Sequence, residues 1–384
     1  MIPFPTAFAL GAALFLVVLW EAFETVILPR RVTRRFRLTR IFYSTTWGAW
    51  SFLACLISSK KRREALLGFY GPLSLLLLLV VWAAGLILSF GLLHYGAGSA
   101  VSVAGTQPGF VTDIYLSGTT FFTLGLGDVV PRSALARALT VTEGGVGFGF
   151  LAIVIGYLPV FYQAFSRREV NISLLDARAG TPPTAGELLR RHGFAHGQEA
   201  LQSLLKDWER WSAELMESHL SYPALAFFRS QHDNQSWLSS LTAILDTCAL
   251  VMTGLEGACE RQAELTFAIA RHAVVDLSQI FGSGPLPFPQ ERLSPAELSR
   301  LREVLARNGF KMRDGEEADR RLTALRRMYE PYVHTLASYL NLALPPWIPA
   351  KKTKDNWQTT AWAQASGSPA SEIEIAAALT DDHH

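Results

Sequence analysis

The sequence has 384 residues, of which 49% are hydrophobic and only 18% are charged. This composition is too apolar for an ordinary soluble enzyme and excludes a disordered or collagen-like chain. With three cysteines, a disulfide scaffold is excluded as well. The charge divides the chain: residues 1–165 carry twelve basic and six acidic residues, net +6, whereas residues 166–384 carry twenty-three and twenty-seven, net −4.

The N-terminal region, residues 1–65, contains two apolar segments. Thr6 to Leu28 is followed at once by a cluster of arginines, so the positive-inside rule predicts an anchor helix whose C-terminus is cytoplasmic. The second segment, Ile41 to Ser58, lies between that cluster and a second one at residues 60–63. If it crossed the membrane, one basic cluster would lie outside. We therefore expect it to lie along or dip into the cytoplasmic interface, with a fourth span as the alternative.

Residues 66–165 predict two spanning helices, because two long stretches within them carry no charge and exceed the roughly 20 residues that cross a bilayer. We expect the first helix from Gly71 to about Leu93, with Pro72 in its first turn, and the second from Ala138 to Phe165. Between them, the apolar segment Val111–Phe122 is too short to span. It therefore predicts a short helix that enters the membrane and returns on the same side.

The short helix leads into the sequence TFFTLGLGDVVP, residues 120–131. This sequence resembles the potassium-channel signature TxxTxGYGD, followed by two hydrophobic residues and proline. The wider resemblance covers roughly residues 68–165 and is to the two-helix pore unit shared by bacterial potassium channels and two-pore-domain channels. It implies an all-α membrane protein whose channel core has two helices and a re-entrant pore loop, with an N-terminal anchor helix and a cytoplasmic helical bundle.

The resemblance implies that backbone carbonyls replace the water shell of K⁺ in a narrow filter. Successive carbonyls can face one axis only if the backbone alternates with left-handed dihedrals, which glycine adopts at little cost. One loop supplies a quarter of such a ring, so a homotetramer is expected. The expected K⁺ ligands are carbonyl oxygens of Thr123, Leu124, Gly125 and Leu126, with the Thr123 hydroxyl, and Gly127 completes the filter.

Three residues are expected to support the filter: Asp128 and Thr120 beside it, and Glu143 behind it. Leu126 departs from the family pattern, because most potassium channels have Tyr or Phe at this place. A weakly selective monovalent cation channel is therefore one alternative to a potassium channel. A membrane sensor or scaffold protein that does not conduct is the other.

The second helix is rich in glycine, and glycine and proline are common causes of helix bends. Close helix packing is the alternative use of these glycines. The residues predicted to form a gating hinge are Gly145, Gly149, Gly156 and Pro159.

The remaining chain predicts a linker at residues 166–183, a helical bundle at 184–346 and a disordered tail at 347–384. Ser294–Glu297 has the pattern of a capping box that begins a helix. There is no phosphate-binding loop, nucleophile–base motif or convincing metal spacing, so we expect neither an enzyme nor a cofactor other than permeant K⁺. The expected location is the plasma (inner) membrane, with several spans and the bundle in the cytoplasm. The expected partners are copies of the same chain and membrane lipids, without nucleic acid; no regulatory ligand is predicted.

Overall fold

The computed structural model describes residues 3–28, 37–103, 107–194, 196–232, 234–255, 259–281, 284–285, 291–349 and 355. The chain forms two compact units, residues 1–163 and 164–384. The boundary between them lies two residues before the predicted end of the pore unit at residue 165.

The first unit consists mainly of helices, and the last of them continues into the second unit. The helices are α1 (Phe4–Ala22, continued by a π-helical turn at Phe23–Ile27), α2 (Leu38–Cys55), α3 (Lys60–Gly96), α4 (Phe110–Phe121) and α5 (Ala134–Ala179). In the described part of the chain, the three helical stretches of sufficient length and hydropathy are Phe4–Ile27, Lys60–Gly96 and Ala134–Ala179. The predicted all-α membrane fold is confirmed. α2 is not among these three, and its interfacial position stays a prediction.

α1 and α3 pack closely because small residues let their backbones approach. A Cβ atom on Gly96 would lie 2.4 Å from the backbone nitrogen of Phe8, and one on Gly11 would lie 2.7 Å from the carbonyl oxygen of Ser89. The far end of α1 holds the start of α2, since the buried Glu21 carboxylate accepts hydrogen bonds from the hydroxyl (2.8 Å) and the backbone N–H (3.3 Å) of Thr39.

α3 begins eleven residues before the predicted start, and Pro72 lies inside it rather than in its first turn. A proline inside a helix removes one backbone hydrogen bond, which helices in a membrane tolerate when neighbouring groups compensate. The added turns pack against α2. The indole nitrogen of Trp50 donates to the carbonyl of Leu66 at 3.0 Å, and the rings of Trp47 and Tyr70 meet edge to face with centroids 4.8 Å apart.

α5 is also longer than predicted, and the predicted linker at residues 166–183 is wrong over most of its length. The helix continues to Ala179 and ends before Gly180, whose φ of +79° suits glycine. No residue between Phe165 and Gly180 breaks a helix. Apolar side chains at helical spacing bury one face of this stretch in the second unit, among them Ile172 and Leu175.

The sequence analysis predicted no strand in the first unit, but two short strands form a ribbon there. β1 (Val101–Val103) pairs antiparallel with β2 (Val129–Pro131), with Val101 opposite Pro131. The ribbon is closed by a hydrogen bond from the backbone N–H of Arg132 to the carbonyl of Ala100 at 2.8 Å. It connects the loop after α3 to the segment that follows the predicted filter.

The second unit is the predicted helical bundle. Its helices are α6 (Ala185–Arg191), α7 (Gly197–Ser221), α8 (Trp237–Met252), α9 (Glu260–Ile280), α10 (Pro295–Arg307), α11 (Glu316–Arg327) and α12 (Glu330–Leu340), with a 3₁₀ turn at Pro223–Phe227. α8 is buried over nearly its whole length and forms the centre of the bundle. The capping box of Ser294 and Glu297 begins α10 as predicted.

The predicted tail begins too early, because its first residues belong to the core of the second unit. Trp347 is 1% exposed, and its carbonyl accepts a hydrogen bond from the backbone N–H of Gly186 at 2.9 Å. Asp355 is buried too and forms an ion pair with Arg191 at 2.8 Å. An aromatic side chain of this size stabilises the core when it is buried, which explains why the folded region passes residue 346. Residues 350–354 and 356–384 lie outside the described residues.

The bundle contains a buried histidine that makes its stability depend on pH. Burial, together with the nearby Arg168 guanidinium, lowers the pKa of His219 to about 3. Between about pH 6.5 and pH 3, an unfolded chain therefore binds a proton at this residue that the folded chain does not. The stability contributed by neutral His219 is present above about pH 6.5 and is lost as the pH falls, by about 1.4 kcal/mol per pH unit.

We therefore expect the bundle to lose about 3 kcal/mol of unfolding free energy at this residue between pH 7.5 and pH 4.5. The measurement is denaturant unfolding of the full chain followed by tryptophan fluorescence at the two pH values. His219→Gln should show a correspondingly smaller difference between them. An equal acid sensitivity of the variant and the parent would contradict the assignment.

Candidate functional site: the pore loop

The candidate site begins at the C-terminal end of α4, where backbone hydrogen bonds fold the next residues back on the helix. The N–H of Thr123 donates to the carbonyl of Thr120 at 3.0 Å, and the N–H of Leu124 donates to the carbonyl of Thr119 at 2.8 Å. The last turn of α4 therefore fixes the first residues of the predicted filter. The predicted helix, Val111–Phe122, agrees with the observed α4 to within one residue at each end.

The backbone after α4 alternates in handedness. Thr123, Gly125 and Gly127 have φ values of +58°, +56° and +78°, whereas Leu124 and Leu126 between them do not have positive φ. The left-handed conformation costs an ordinary residue roughly 1–2 kcal/mol, and glycine adopts it freely. The two glycines therefore occupy the positions where this backbone needs them. Thr123 has a Cβ atom, so its positive φ is strained, and strained backbone of this kind is common at functional sites.

The whole segment from Phe122 to Asp128 is exposed in the single chain. Leu124 and Leu126 are 62% and 63% exposed, although both are large and apolar. Two exposed apolar side chains of this size next to a strained backbone make this loop a candidate contact surface.

Asp128 is held by the helix in front of it and by its own backbone. The hydroxyl of Tyr115 on α4 donates to Asp128 Oδ2 at 2.9 Å, and the N–H of Val129 donates to Asp128 Oδ1 at 3.1 Å. The supporting role of Asp128 stays a prediction. Immediately after them, β2 pairs with β1, and the side chains of Val101, Leu116 and Val129 form a small core beneath the ribbon.

Glu143 lies behind α4 and contacts two other helices. The hydroxyl of Ser117 on α4 donates to Glu143 Oε1, and His94 Nε2 on α3 lies 3.6 Å from Glu143 Oε2. Both His94 and Glu143 are buried. Glu143 on α5 therefore contacts both α3 and α4, and its supporting role stays a prediction. The Thr120 side chain lies near Gly144, where a Cβ would be 3.9 Å from Thr120 Cγ2.

The predicted hinge residues all lie within the continuous helix α5. A Cβ atom on Gly145, Gly149 or Gly156 would meet nothing within 4 Å in this chain, and Pro159 is also internal to the helix. Their hinge role stays a prediction. Gly147 differs from them, because a Cβ there would lie 2.1 Å from the carbonyl oxygen of Phe121 at the end of α4. It is a close-packing glycine.

Sequence reasoning missed four contributors to this site: the carbonyl of Thr119, the Tyr115 hydroxyl, the Ser117 hydroxyl and the His94 ring. Each of these groups is brought to its contact by the fold, and none belongs to a sequence motif that would have identified it. One signal was available, because Asp113, Ser117 and Tyr115 are polar groups in a short apolar helix, where polar residues are costly unless they are paired. In the described residues, no group of three or more His, Cys, Asp or Glu side chains could hold a metal ion.

A helix that ends at a strained, exposed loop between two spanning helices defines a membrane protein with a re-entrant pore loop. Residues 75–164 match the family described as "Ion channel". The matched segment contains the whole loop, and the predicted resemblance to channel pores is confirmed.

The chain is also similar to a curated relative, "Uncharacterized membrane protein YdjJ" of Bacillus subtilis (strain 168). The two are 27% identical over 202 residues, which cover 52% of this chain and 57% of the relative. The chain thus spans a little over half the length of the relative it matches. No solved structure matches the chain significantly.

Proposed function

We propose that this protein is the subunit of a homotetrameric potassium channel of the plasma membrane. In this proposal, K⁺ passes through a filter formed by the backbone carbonyls of residues 123–126 and by the Thr123 hydroxyl. The proposed channel uses no cofactor besides the permeant K⁺. Copies of the chain and membrane lipids are its partners.

The observation that carries the proposal is the alternation of left-handed backbone at Thr123, Gly125 and Gly127. Alternating left- and right-handed residues turn successive carbonyls toward the same side, and carbonyl rings are what replaces the hydration shell of K⁺ in a filter. The C-terminal end of α4 leads into this segment. Its partial negative charge would favour a cation there.

The tetramer follows from the geometry of coordination, because one loop offers a single column of oxygens and an ion in a pore needs a ring. The exposure of the loop and of Leu124 and Leu126 in the single chain supports the proposal. In a tetramer, neighbouring copies would cover these side chains.

One observation, the residue at position 126, favours a second candidate function, a weakly selective cation channel. Leu126 replaces the usual aromatic residue, so no ring is available there to brace the filter from behind. A filter that is held less rigidly would favour a weakly selective cation channel. The Tyr115–Asp128 hydrogen bond and the β1–β2 ribbon are braces that this chain has in its described part, and they favour the potassium-selective form.

The second unit is proposed to lie in the cytoplasm and to assemble or gate the channel through α5. Arg168 on α5 is buried there, and its guanidinium donates to the carbonyls of Leu225 (2.9 Å) and Phe228 (2.8 Å). The indole nitrogen of Trp211 donates in turn to the carbonyl of Arg168 at 3.2 Å. A rearrangement of the bundle would therefore act on the end of α5 directly.

The test is ion uptake by liposomes that contain the purified protein. We expect uptake of K⁺ in clear excess over Na⁺, and abolition of uptake by Gly125→Asp, because that substitution puts a strained, charged residue in each copy of the filter. Equal K⁺ and Na⁺ uptake would replace this proposal with the weakly selective channel.

Gly98→Asp is the matched control, since Gly98 also has positive φ (+88°) and no atom within 4 Å of its Cβ position, but it lies in the loop after α3. It should leave uptake largely intact. Light scattering should give four chain masses for all three proteins. A parent protein without ion uptake would overturn the proposal in favour of a scaffold that does not conduct.

A further inference from the structure

The C-terminal end of α5 is held by a side chain from the next helix. Arg191, the last residue of α6, donates from Nη1 to the carbonyl of Ala177 at 2.7 Å. A cation at this end of a helix satisfies a carbonyl that has no partner within the helix, and the helix dipole favours it. The last turn of α5 therefore depends on where the Arg191 guanidinium is placed.

Two carboxylates place that guanidinium. Glu187, one turn earlier on α6, accepts a hydrogen bond from Arg191 Nε at 2.6 Å. Asp355 binds with both of its oxygens, because Oδ2 lies 2.8 Å from Arg191 Nη1 and Oδ1 lies 3.1 Å from Nη2. A two-point contact fixes the orientation of a planar guanidinium as well as its position. The pair lies against the end of α5, since a Cβ on Gly180 would be 3.5 Å from Arg191 Nη2 and 3.6 Å from Asp355 Oδ1.

The segment after α12 makes a second contact, at the start of α6. The carbonyl of Trp347 accepts the backbone N–H of Gly186 at 2.9 Å. The guanidinium groups of Arg292 and Arg326 lie over the Trp347 ring, 5.7 and 5.6 Å from its centroid, and fasten it to the bundle. The chain after α12 thus contacts α6 at both ends, through Trp347 and through Asp355. We call these two residues the C-terminal strap.

The two residues of the strap differ in their access to water. Trp347 is 1% exposed and belongs to the core. At the other contact, the Asp355 side chain is 5% exposed but its partner Arg191 is 23% exposed. Water can therefore reach the guanidinium, and breaking this ion pair uncovers little apolar surface. Contacts of this kind open at a lower free energy than the core does, so the strap can open at Asp355 while the bundle stays folded.

We propose that the C-terminal strap controls the end of α5, with Asp355 as a positioning residue that acts through Arg191. When Asp355 leaves Arg191, the last turn of α5 loses its fixed cap and becomes free to move without unfolding of the bundle. The inference rests on the proposed channel function in its last step alone. Because α5 is one continuous helix from Ala134 to Ala179, freeing its end changes K⁺ uptake.

The first test is hydrogen exchange of the full-length protein in detergent, measured by mass spectrometry. The N–H groups of Gly180 and Thr184 close the end of α5 through hydrogen bonds of 2.9 and 3.0 Å to its last carbonyls. In Asp355→Asn, these amides should exchange about tenfold faster or more, and residues 238–251 of the buried α8 should exchange as in the parent. Unchanged exchange at the end of α5, or equally faster exchange in α8, would overturn the proposal.

Three further variants separate positioning from general stability. Asp314→Asn makes the same substitution at an exposed ion pair, 3.0 Å from Arg302, and should leave the exchange of α5 unchanged. Asp355→Glu keeps the charge and should retain most of the protection. Adding Asp355→Asn to Arg191→Gln should not accelerate exchange beyond Arg191→Gln alone, because Asp355 acts through this arginine. Effects that simply add would contradict that route.

The second test is K⁺ uptake by liposomes. Uptake by Asp355→Asn should differ by about fivefold or more from that of the parent and of Asp314→Asn. Faster exchange at the end of α5 with parent-like uptake would overturn the link between the strap and conduction. A parent without K⁺ uptake would overturn the channel proposal, and the exchange experiment, which requires no conduction, would still decide whether the strap exists.

Discussion

Alanine in place of Gly147 is expected to remove most of the K⁺ uptake of the reconstituted channel. The added Cβ would lie 2.1 Å from the carbonyl oxygen, 2.9 Å from the carbonyl carbon and 3.0 Å from the Cα of Phe121. All three are backbone atoms, so no side-chain rotation relieves the contact. Either α5 or the end of α4 must move.

The consequence reaches the filter because the end of α4 also holds its first residues. The carbonyls of Thr119 and Thr120, in the same turn as Phe121, accept the N–H groups of Leu124 and Thr123. Overpacking of this kind costs about 1–3 kcal/mol. If that strain relaxes by moving the end of α4, the filter moves with it. We expect uptake to fall by about tenfold or more, since 1.4 kcal/mol corresponds to a factor of ten.

Gly144→Ala is the matched control, because it makes the same substitution in the same helix less than one turn away. Its Cβ would meet only Thr120 Cγ2, at 3.9 Å, which is ordinary contact. Alanine favours a helix more than glycine does, so this variant should be at least as stable as the parent. Parent-like uptake in Gly147→Ala, or an equal loss in Gly144→Ala, would contradict the packing argument.

The left-handed backbone at Gly125 and Gly127 could be predicted from sequence, because local chemistry favours glycine there. Glycine adopts a positive φ at little cost, so glycines at alternate positions predict the left-handed backbone at Gly125 and Gly127. The positive φ of Thr123 could not be predicted, because this conformation is unfavourable for threonine and only the folded environment imposes it. The short helix α4 could also be predicted from its own segment, because an apolar stretch of that length is too short to cross a membrane.

The contacts around the filter could not be predicted, because they join residues that are distant in sequence. The contact of His94 with Glu143 depends on how α3 and α5 pack, and the Tyr115–Asp128 bond depends on how the loop after α4 folds back on that helix. The β1–β2 ribbon depends on two tripeptides that meet only after the loop has folded. The length of α5 was misjudged for a related reason: a change from apolar to charged residues marks the edge of a membrane but does not end a helix.

In the second unit, Arg292→Met is expected to lower the free energy of unfolding by about 3–5 kcal/mol. The Arg292 guanidinium lies 2.6 Å from Asp246 and 3.2 Å from Glu330, and both acids are fully buried. It also donates to the carbonyl of Pro345 at 2.9 Å. This one side chain therefore joins α8, α12 and the segment that follows α12. Without it, the Tyr329 hydroxyl is the one side-chain donor left to the buried Asp246 carboxyl among the described residues.

Denaturant unfolding of the full chain, followed by tryptophan fluorescence, measures this loss, and Arg307→Met is the control. Arg307 forms an exposed ion pair with Glu303 on α10 at 3.4 Å, a type of pair that contributes only about 0.3–0.5 kcal/mol. Adding Asp246→Asn to Arg292→Met should recover part of the lost stability, because the cost arises mainly from the buried Asp246 carboxyl that has lost its ion-pair partner. If the double variant is less stable than Arg292→Met by the full effect of Asp246→Asn alone, the two residues are not energetically coupled, and the arginine acts through packing.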